Sequence, residues 1–154
     1  MVMSNGLVEQ IGGPTEIYER PGNEFIASFV GYVNILKGEV KSLGGDTEPA
    51  IVSTEMGNLE VLIEEKDIKP GQKIFLVARP ETIHLASPGK AAGANVFKGV
   101  IKVAMYAGST MKYTVDIQGR DVLIDQYDPS NLGIREIGEK VVITLPKSVH
   151  ILKK

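Results

Sequence analysis

The 154-residue sequence predicts a mainly β protein: two antiparallel β-barrel repeats sharing a core, preceded by a short hairpin and two short helices. Three observations predict it. From Val33 onward apolar and polar residues alternate with period two, as Tyr113, Val115 and Ile117 do against Lys112, Thr114, Asp116 and Gln118, which is the pattern of half-buried antiparallel strands. Gly, Pro and Asp punctuate nearly all the gaps. The same motifs then recur once along the chain, which marks a duplicated unit.

The elements follow in order. Ser4-Asn5-Gly6 is a turn between Val2-Met3 and Leu7 to Ile11, so the chain opens on a hairpin whose first arm is too short to stand alone. Such an arm is expected in a piece of something larger. Pro14 suits the first helical position, where its missing N–H has no partner, and Gly13 is an acceptable cap, so helix one runs from Pro14 to Arg20. Pro21 and Gly22 stop it. Asn23 caps helix two, Gly31 supplies its left-handed closing residue, and Phe25, Ile26, Phe29 and Val30 form one apolar stripe on it. That stripe covers either the chain's own β core or a surface belonging to a partner. Strands are expected at Leu36–Ser42, Ala50–Thr54, around Leu59–Ile63, Lys73–Arg79, Ile83–Ala86, Val96–Tyr106, Lys112–Gln118, Asp121–Gln126, Lys140–Leu145 and Val149–Leu152.

The repeat is explicit. "KGEVKSLGG" (Lys37 to Gly45) answers "KGVIKVAMYAG" (Lys98 to Gly108), "GNLEVLI" (Gly57 to Ile63) answers "GRDVLID" (Gly119 to Asp125), and "KPGQKIFLVARPETIHL" (Lys69 to Leu85) answers "EIGEKVVITLPKSVHIL" (Glu136 to Leu152). The offset drifts from 61 at Gly38/Gly99 to 66 at Pro80/Pro146, and most of the drift is an insertion in the loop "QYDPSNLGIRE". Each copy holds about five short strands, the size of an OB-type Greek-key barrel. One copy alone buries little surface, so the two are expected to share a core. The expected division is residues 1–34 for the hairpin and helices, then 35–154 for the double barrel, with repeats at about 35–90 and 95–154.

Composition narrows the function classes. With 43% hydrophobic and 23% charged residues the chain reads as a folded globule. Net charge is −2, basic residues are not clustered, and the nine aromatics (Tyr 5, Phe 4) flank no basic groove, so no nucleic-acid partner is expected. No apolar run reaches the roughly 20 residues that span a bilayer. The absence of cysteine excludes thiolate catalysis and fits the cytoplasm.

The run "GLVEQIGGPTEIYERPGNEFIASFVGYVN" (Gly6 to Asn34) resembles the segment that leaves the nucleotide-binding domain in ATP-binding subunits of ABC importers of the maltose, polyamine and iron group. "VARPETIHL" (Val77 to Leu85) is similar to that family's R-P-E strand end, and "YAGSTMKYTVDIQGRDVLI" to its Y-x-G-x-x-x-x-Y-x-V segment. At Gly13 the chain departs from the usual threonine. The resemblance spans about Val2 to Leu152 and implies a TOBE (transport-associated OB) regulatory domain, most like the polyamine or iron branch. It further implies a homodimer, a nucleotide-binding domain and indirectly membrane permease subunits as partners, and a position in the cytoplasm against the inner face of the membrane. ATP and magnesium belong, on this resemblance, to the nucleotide-binding domain and not to these residues.

Candidate sites divide between catalysis, regulation and ligand binding. A phosphate loop, G-x-x-x-x-G-K-[ST], is absent: Gly89-Lys90 is followed by Ala91, and position 84 is His. "SLGGD" (Ser42 to Asp46) is a hairpin turn, since Asp46-Thr47-Glu48-Pro49 opens no helix. With no Ser/His/Asp arrangement and no paired-carboxylate spacing, neither an enzyme nor a metal site is expected. Arg79 ends an apolar strand and can pair with Glu81 or with Glu16; together with Phe25 and Phe29 these are the candidate regulatory or interface residues. His84 and His150 are equivalent in the two repeats, which points to a shared structural role. Asp121, Asp125, Asp128, Glu136 and Glu139 form an acidic edge that either solubilises the surface or meets a cation such as a polyamine. Two functions remain open: a regulatory and dimerisation module with a small-molecule effector as a further partner, or an oxyanion-binding module, for which Lys98, Ser109, Thr110 and Lys112 are the candidates because oxyanion-binding relatives of such domains hold anions with Ser, Thr or Lys side chains and backbone N–H groups.

Overall fold

The computed structural model describes residues 1–29, 33–127 and 133–153. Val30 and Gly31 at the end of helix two, and Asp128 of the acidic edge, lie outside the described residues.

The N-terminal unit is a hairpin with two helices folded on it. β1 (Val2–Ser4) pairs antiparallel with β2 (Leu7–Gln10) through Asn5 and Gly6, both with positive φ (50° and 79°), as a two-residue turn matched to strand twist requires. α1 (Pro14–Glu19) ends one residue before the sequence suggests, because Arg20 leaves helical geometry at φ −131°. α2 (Glu24–Phe29) is capped as expected: the Asn23 carboxamide oxygen accepts the N–H of Ile26 at 2.8 Å. Ile26 follows neither alternative for its stripe, covering neither the β core nor a partner surface. It is fully buried with Val2 and Ile17 in a small core of its own, so hairpin and helices pack on one another. Ala27 faces the other way, against Val77 and Leu152 on the outside of the first barrel.

Ten strands build the body: β3 (Asn34–Ser42), β4 (Ala50–Thr54), β5 (Gly57–Val61), β6 (Lys73–Ala78), β7 (His84–Ala86), β8 (Val96–Ala107), β9 (Thr110–Ile117), β10 (Arg120–Tyr127), β11 (Lys140–Thr144) and β12 (His150–Lys153). Between β6 and β7 the chain makes a short 3-10 turn, Pro80–Thr82, which shortens the strand expected to reach Arg79. The strands form two five-stranded antiparallel sheets, ordered β12-β6-β3-β4-β5 and β10-β9-β8-β11-β7. The orders are identical once β12 and β7 are equated, so each repeat lends its last strand to the other repeat's sheet. The registers agree: His150 lies opposite Val77 on β6, and His84 opposite Thr144 on β11. A single core runs through both sheets, from Leu36, Val52 and Leu76 to Tyr113, Val115 and Ile143.

The duplication extends to atomic detail. Gly71 N–H donates to the Val40 carbonyl (2.6 Å) and Val40 N–H to the Gln72 carbonyl (3.0 Å); in the second repeat Gly138 N–H donates to the Ile101 carbonyl (2.8 Å) and Ile101 N–H to the Glu139 carbonyl (3.0 Å). Gly38 and Gly99 occupy the same place in β3 and β8. A methyl at Gly38 would sit 2.5 Å from Val52 Cγ1, and at Gly99 2.4 Å from Ile117 Cδ1 and 2.8 Å from the Asp116 carbonyl, so the neighbouring strand closes over both.

Candidate functional site

Polar groups join the N-terminal unit to the barrels along one seam. Arg79 and Glu81 leave β6 beside α1, but neither forms an ion pair with the other or with Glu16 among the described residues. Tyr18 stands between them: the Arg79 guanidinium lies over its ring, 4.1 Å from the centroid, and donates to its carbonyl oxygen, while the Tyr18 hydroxyl donates to Glu81 at 2.7 Å. A planar cation on an aromatic face that also donates one hydrogen bond is a better anchor than an exposed pair of opposite charges, although Arg79 Nη1 is buried without a partner among the described residues. A second tie lies close by, where His150 Nε2 donates to the Pro21 carbonyl at 2.8 Å. Within the N-terminal unit the Gln10 side chain ties β2 to the link between the helices, accepting from Gly22 N–H (2.8 Å) and donating to the Arg20 carbonyl (3.1 Å).

The Glu81 carboxylate, with partial burial, raises the Tyr18 hydroxyl above the usual phenol range. A group whose folded pKa exceeds its unfolded value contributes stability below the unfolded value, and that contribution is lost as pH rises through the folded one. Folding stability should therefore fall above about pH 10. Tyr18→Phe should flatten this part of the profile while lowering neutral-pH stability by about 1 kcal/mol. Chemical denaturation of both proteins across alkaline pH checks it, and parallel profiles would separate Tyr18 from the effect.

Phe25 and Phe29 stack with centroids 5.7 Å apart and both remain exposed, Phe29 at 64%. Met3, Leu7, Val8 and Ile11 are exposed on the same N-terminal unit.

The four oxyanion candidates do not converge. Lys98 lies near the start of β8, whereas Ser109 is in the turn at its far end, roughly 30 Å away at strand spacing. Lys98 borders a shallow groove with Lys140 and Asp116; Thr110 pairs in register with Ala107 and Tyr127; Lys112 faces Asp125 at 3.3 Å. The acidic edge is largely matched by the chain's own cations. Asp121 meets Lys102 at 3.1 Å, and Arg135 meets Glu139 at 2.9 Å, holding that carboxyl below the usual range.

Two further residues were missed in the sequence. Asn34 and Asn95, among the buried polar side chains, each grip the edge strand of the other repeat's sheet. Asn34 accepts Leu123 N–H (2.7 Å) and donates to the Leu123 carbonyl (2.8 Å) on β10; Asn95 does the same to Glu60 on β5 (2.7 and 2.9 Å). A carboxamide presents a donor and an acceptor side by side, as the backbone of a paired strand residue does, so each asparagine serves as a one-residue strand at an open edge. The signal was available: they lie 61 apart, the offset of Gly38 and Gly99.

Comparison with known proteins bears on this arrangement. The chain is 33% identical over 129 residues to the spermidine/putrescine import ATP-binding protein PotA of Treponema pallidum, covering 79% of this chain and 34% of that protein. It is 34% identical over 137 residues to the PotA of Chromobacterium violaceum, covering 85% and 36%. The chain thus spans about a third of the length of these relatives. In fold it is similar to the cytoplasmic molybdate-binding protein ModG, with a TM-score of 0.67 at 15% identity, covering 79% of this chain and 96% of that one. The TOBE domain model matches residues 76–152, from the middle of β6 into β12, and the chain belongs to the TOBE domain family.

Proposed function

We propose that this chain is the non-catalytic regulatory and dimerisation part of the ATP-binding subunit of an ABC importer for polyamine-type solutes. What carries the reading is the docked N-terminal unit. It is fastened to the first barrel through Tyr18, Arg79, Glu81 and His150, yet keeps an uncovered apolar face at Phe25 and Phe29. That is the arrangement expected of a segment that joins an ATP-binding domain to barrels that follow its movement. The relatives' names supply the solute class, and the parent subunit would bring ATP and magnesium, act beside membrane permease subunits, and lie against the cytoplasmic face of the membrane. Among the described residues no helix is long and apolar enough to cross a bilayer. The dispersal of Lys98, Ser109, Thr110 and Lys112 favours this role over an oxyanion-binding one.

Identical chains commonly bury apolar surface by symmetric pairing. Sedimentation should show a dimer at micromolar concentration, weakened by Phe29→Asp if the helices take part and unchanged by it if the barrels alone meet. A monomer persisting to ~100 μM, where a contact of about −5.5 kcal/mol is half-formed, would overturn the dimer. The purified chain should hydrolyse no ATP above a buffer control.

A further inference from the structure

The two repeats part company at one sheet edge. In the first, β3 runs beside β6 as far as Glu39, opposite Lys73, and Val40 still bonds to the Gln72 and Gly71 backbone, so only Lys41 and Ser42 extend past their neighbour. In the second, β8 runs beside β11 as far as Val100, opposite Lys140, and Ile101 bonds to Glu139 and Gly138, but the strand then continues through residues 102–107. A bulge between Ile101 and Val103 marks where this arm begins. Along it β9 occupies one edge, and among the described residues nothing bonds the backbone of residues 103–107 on the other.

Open edges of native sheets are ordinarily guarded by charge, proline or shortness. This one reads Val103-Ala104-Met105-Tyr106-Ala107, with no charge and no proline, and Val103, Met105 and Tyr106 are exposed. Lys102 at its base is held by Asp121. The gap beside the arm also has the arm's own length, because β11 closes one end of it and the turn at Gly108 and Ser109 ends the other. A second copy of the arm fits that gap end to end.

We propose that the arm pairs antiparallel with the same arm of a second copy, about a two-fold axis beside Met105, joining the two β10-β9-β8 sheets edge to edge. This rests on the dimer proposed above and names its contact. A two-fold normal to a sheet leaves the two faces of the sheet unchanged, so opposite residues differ by an even number and the axis passes beside a residue. Beside Met105 it sets Val103 opposite Ala107, Ala104 opposite Tyr106 and Lys102 opposite Gly108, and no like charges meet. Moved to Ala104 it would drive Ala107 onto Ile101, whose edge Gly138 and Glu139 already fill. Moved to Tyr106 it would set Val103 against Ser109, in the turn.

The chain has no cysteine, so single introduced thiols report the register. Residues directly opposite in an antiparallel pair have Cα atoms about 4.5–5.5 Å apart, within disulfide range. Met105→Cys should therefore cross-link to its own copy on mild oxidation. Val103→Cys should not, since the two Val103 positions lie roughly 13 Å apart along the strands. Both side chains are exposed, so melting temperatures should be unchanged. In sedimentation Met105→Lys and Met105→Glu should each weaken the dimer about five-fold or more, by setting like charges face to face, and an equimolar mixture of the two should restore it. Equal cross-linking at both positions, or a mixture no tighter than the single variants, would overturn the contact. A wild-type dimer without the Met105→Cys cross-link would also overturn it while leaving the dimer itself standing, whereas a wild-type monomer at ~100 μM removes both.

Discussion

Asn34→Ala should lower folding stability by about 3 kcal/mol, because it strips two close hydrogen bonds from the N–H and carbonyl of Leu123 and leaves that edge unpaired in a partly buried setting. For a chain of this size that is a fall in melting temperature of roughly 6 to 12 °C. Asn95→Ala removes the equivalent grip on Glu60 and should cost about the same. The two sites hold opposite barrels that share one core, so the double variant should lose more than either single one and unfold in one transition. Urea melts of the three proteins test this. A loss below about 1 kcal/mol for both single variants would mean that the carboxamides only decorate edges already closed by side-chain packing.

Gly99→Ala is the second large effect, expected near 3 kcal/mol, at the upper end of what overpacking a core costs. The added methyl would meet Ile117 Cδ1 at 2.4 Å, Val115 Cγ1 at 2.6 Å and the Asp116 carbonyl at 2.8 Å. A side-chain tip can rotate away. The carbonyl cannot, since it belongs to the strand paired with β8. At Gly38 the near obstacle is Val52 Cγ1 at 2.5 Å, with the backbone at 3.5 Å, so Gly38→Ala should cost about 1 kcal/mol. Denaturation of the pair gives the comparison, and equal losses would show that the strands move apart as easily in one repeat as in the other.

Much of the fold was legible because its causes are local. Alternation placed nearly every strand, Asn5-Gly6 and Asn23 placed a turn and a cap, and the Gly38/Gly99 offset disclosed the duplication. What stayed hidden depends on residues far apart. An exchange of final strands leaves the alignment of the repeats unaltered, so "ETIHL" answers "KSVHIL" whether each strand stays home or crosses. Ile26 could be placed on a stripe, but its burial needed Val2 and Ile17 brought from other elements. Arg79 and Glu81 stood out because they are two residues apart, but the direct pair expected of them does not form; Tyr18, which comes between them, arrives from about 60 residues earlier. The asparagines were overlooked because a lone Asn before an apolar run reads as a turn, and only the topology shows a strand edge waiting for it.

The crossing of β7 and β12 also governs the order in which this chain can become native. The first sheet is completed by the last of the twelve strands to leave the ribosome, since His150 must reach back 73 positions to Val77. Until then the first sheet holds only four strands, and β7 has nowhere to pair until β11 of the second repeat has been made. Closing such long loops before any contact repays them slows folding. Refolding should therefore be slow and single-exponential, with no stable half-molecule along the way, and a ribosome halted near residue 90 would display an open sheet for chaperones or aggregation to find.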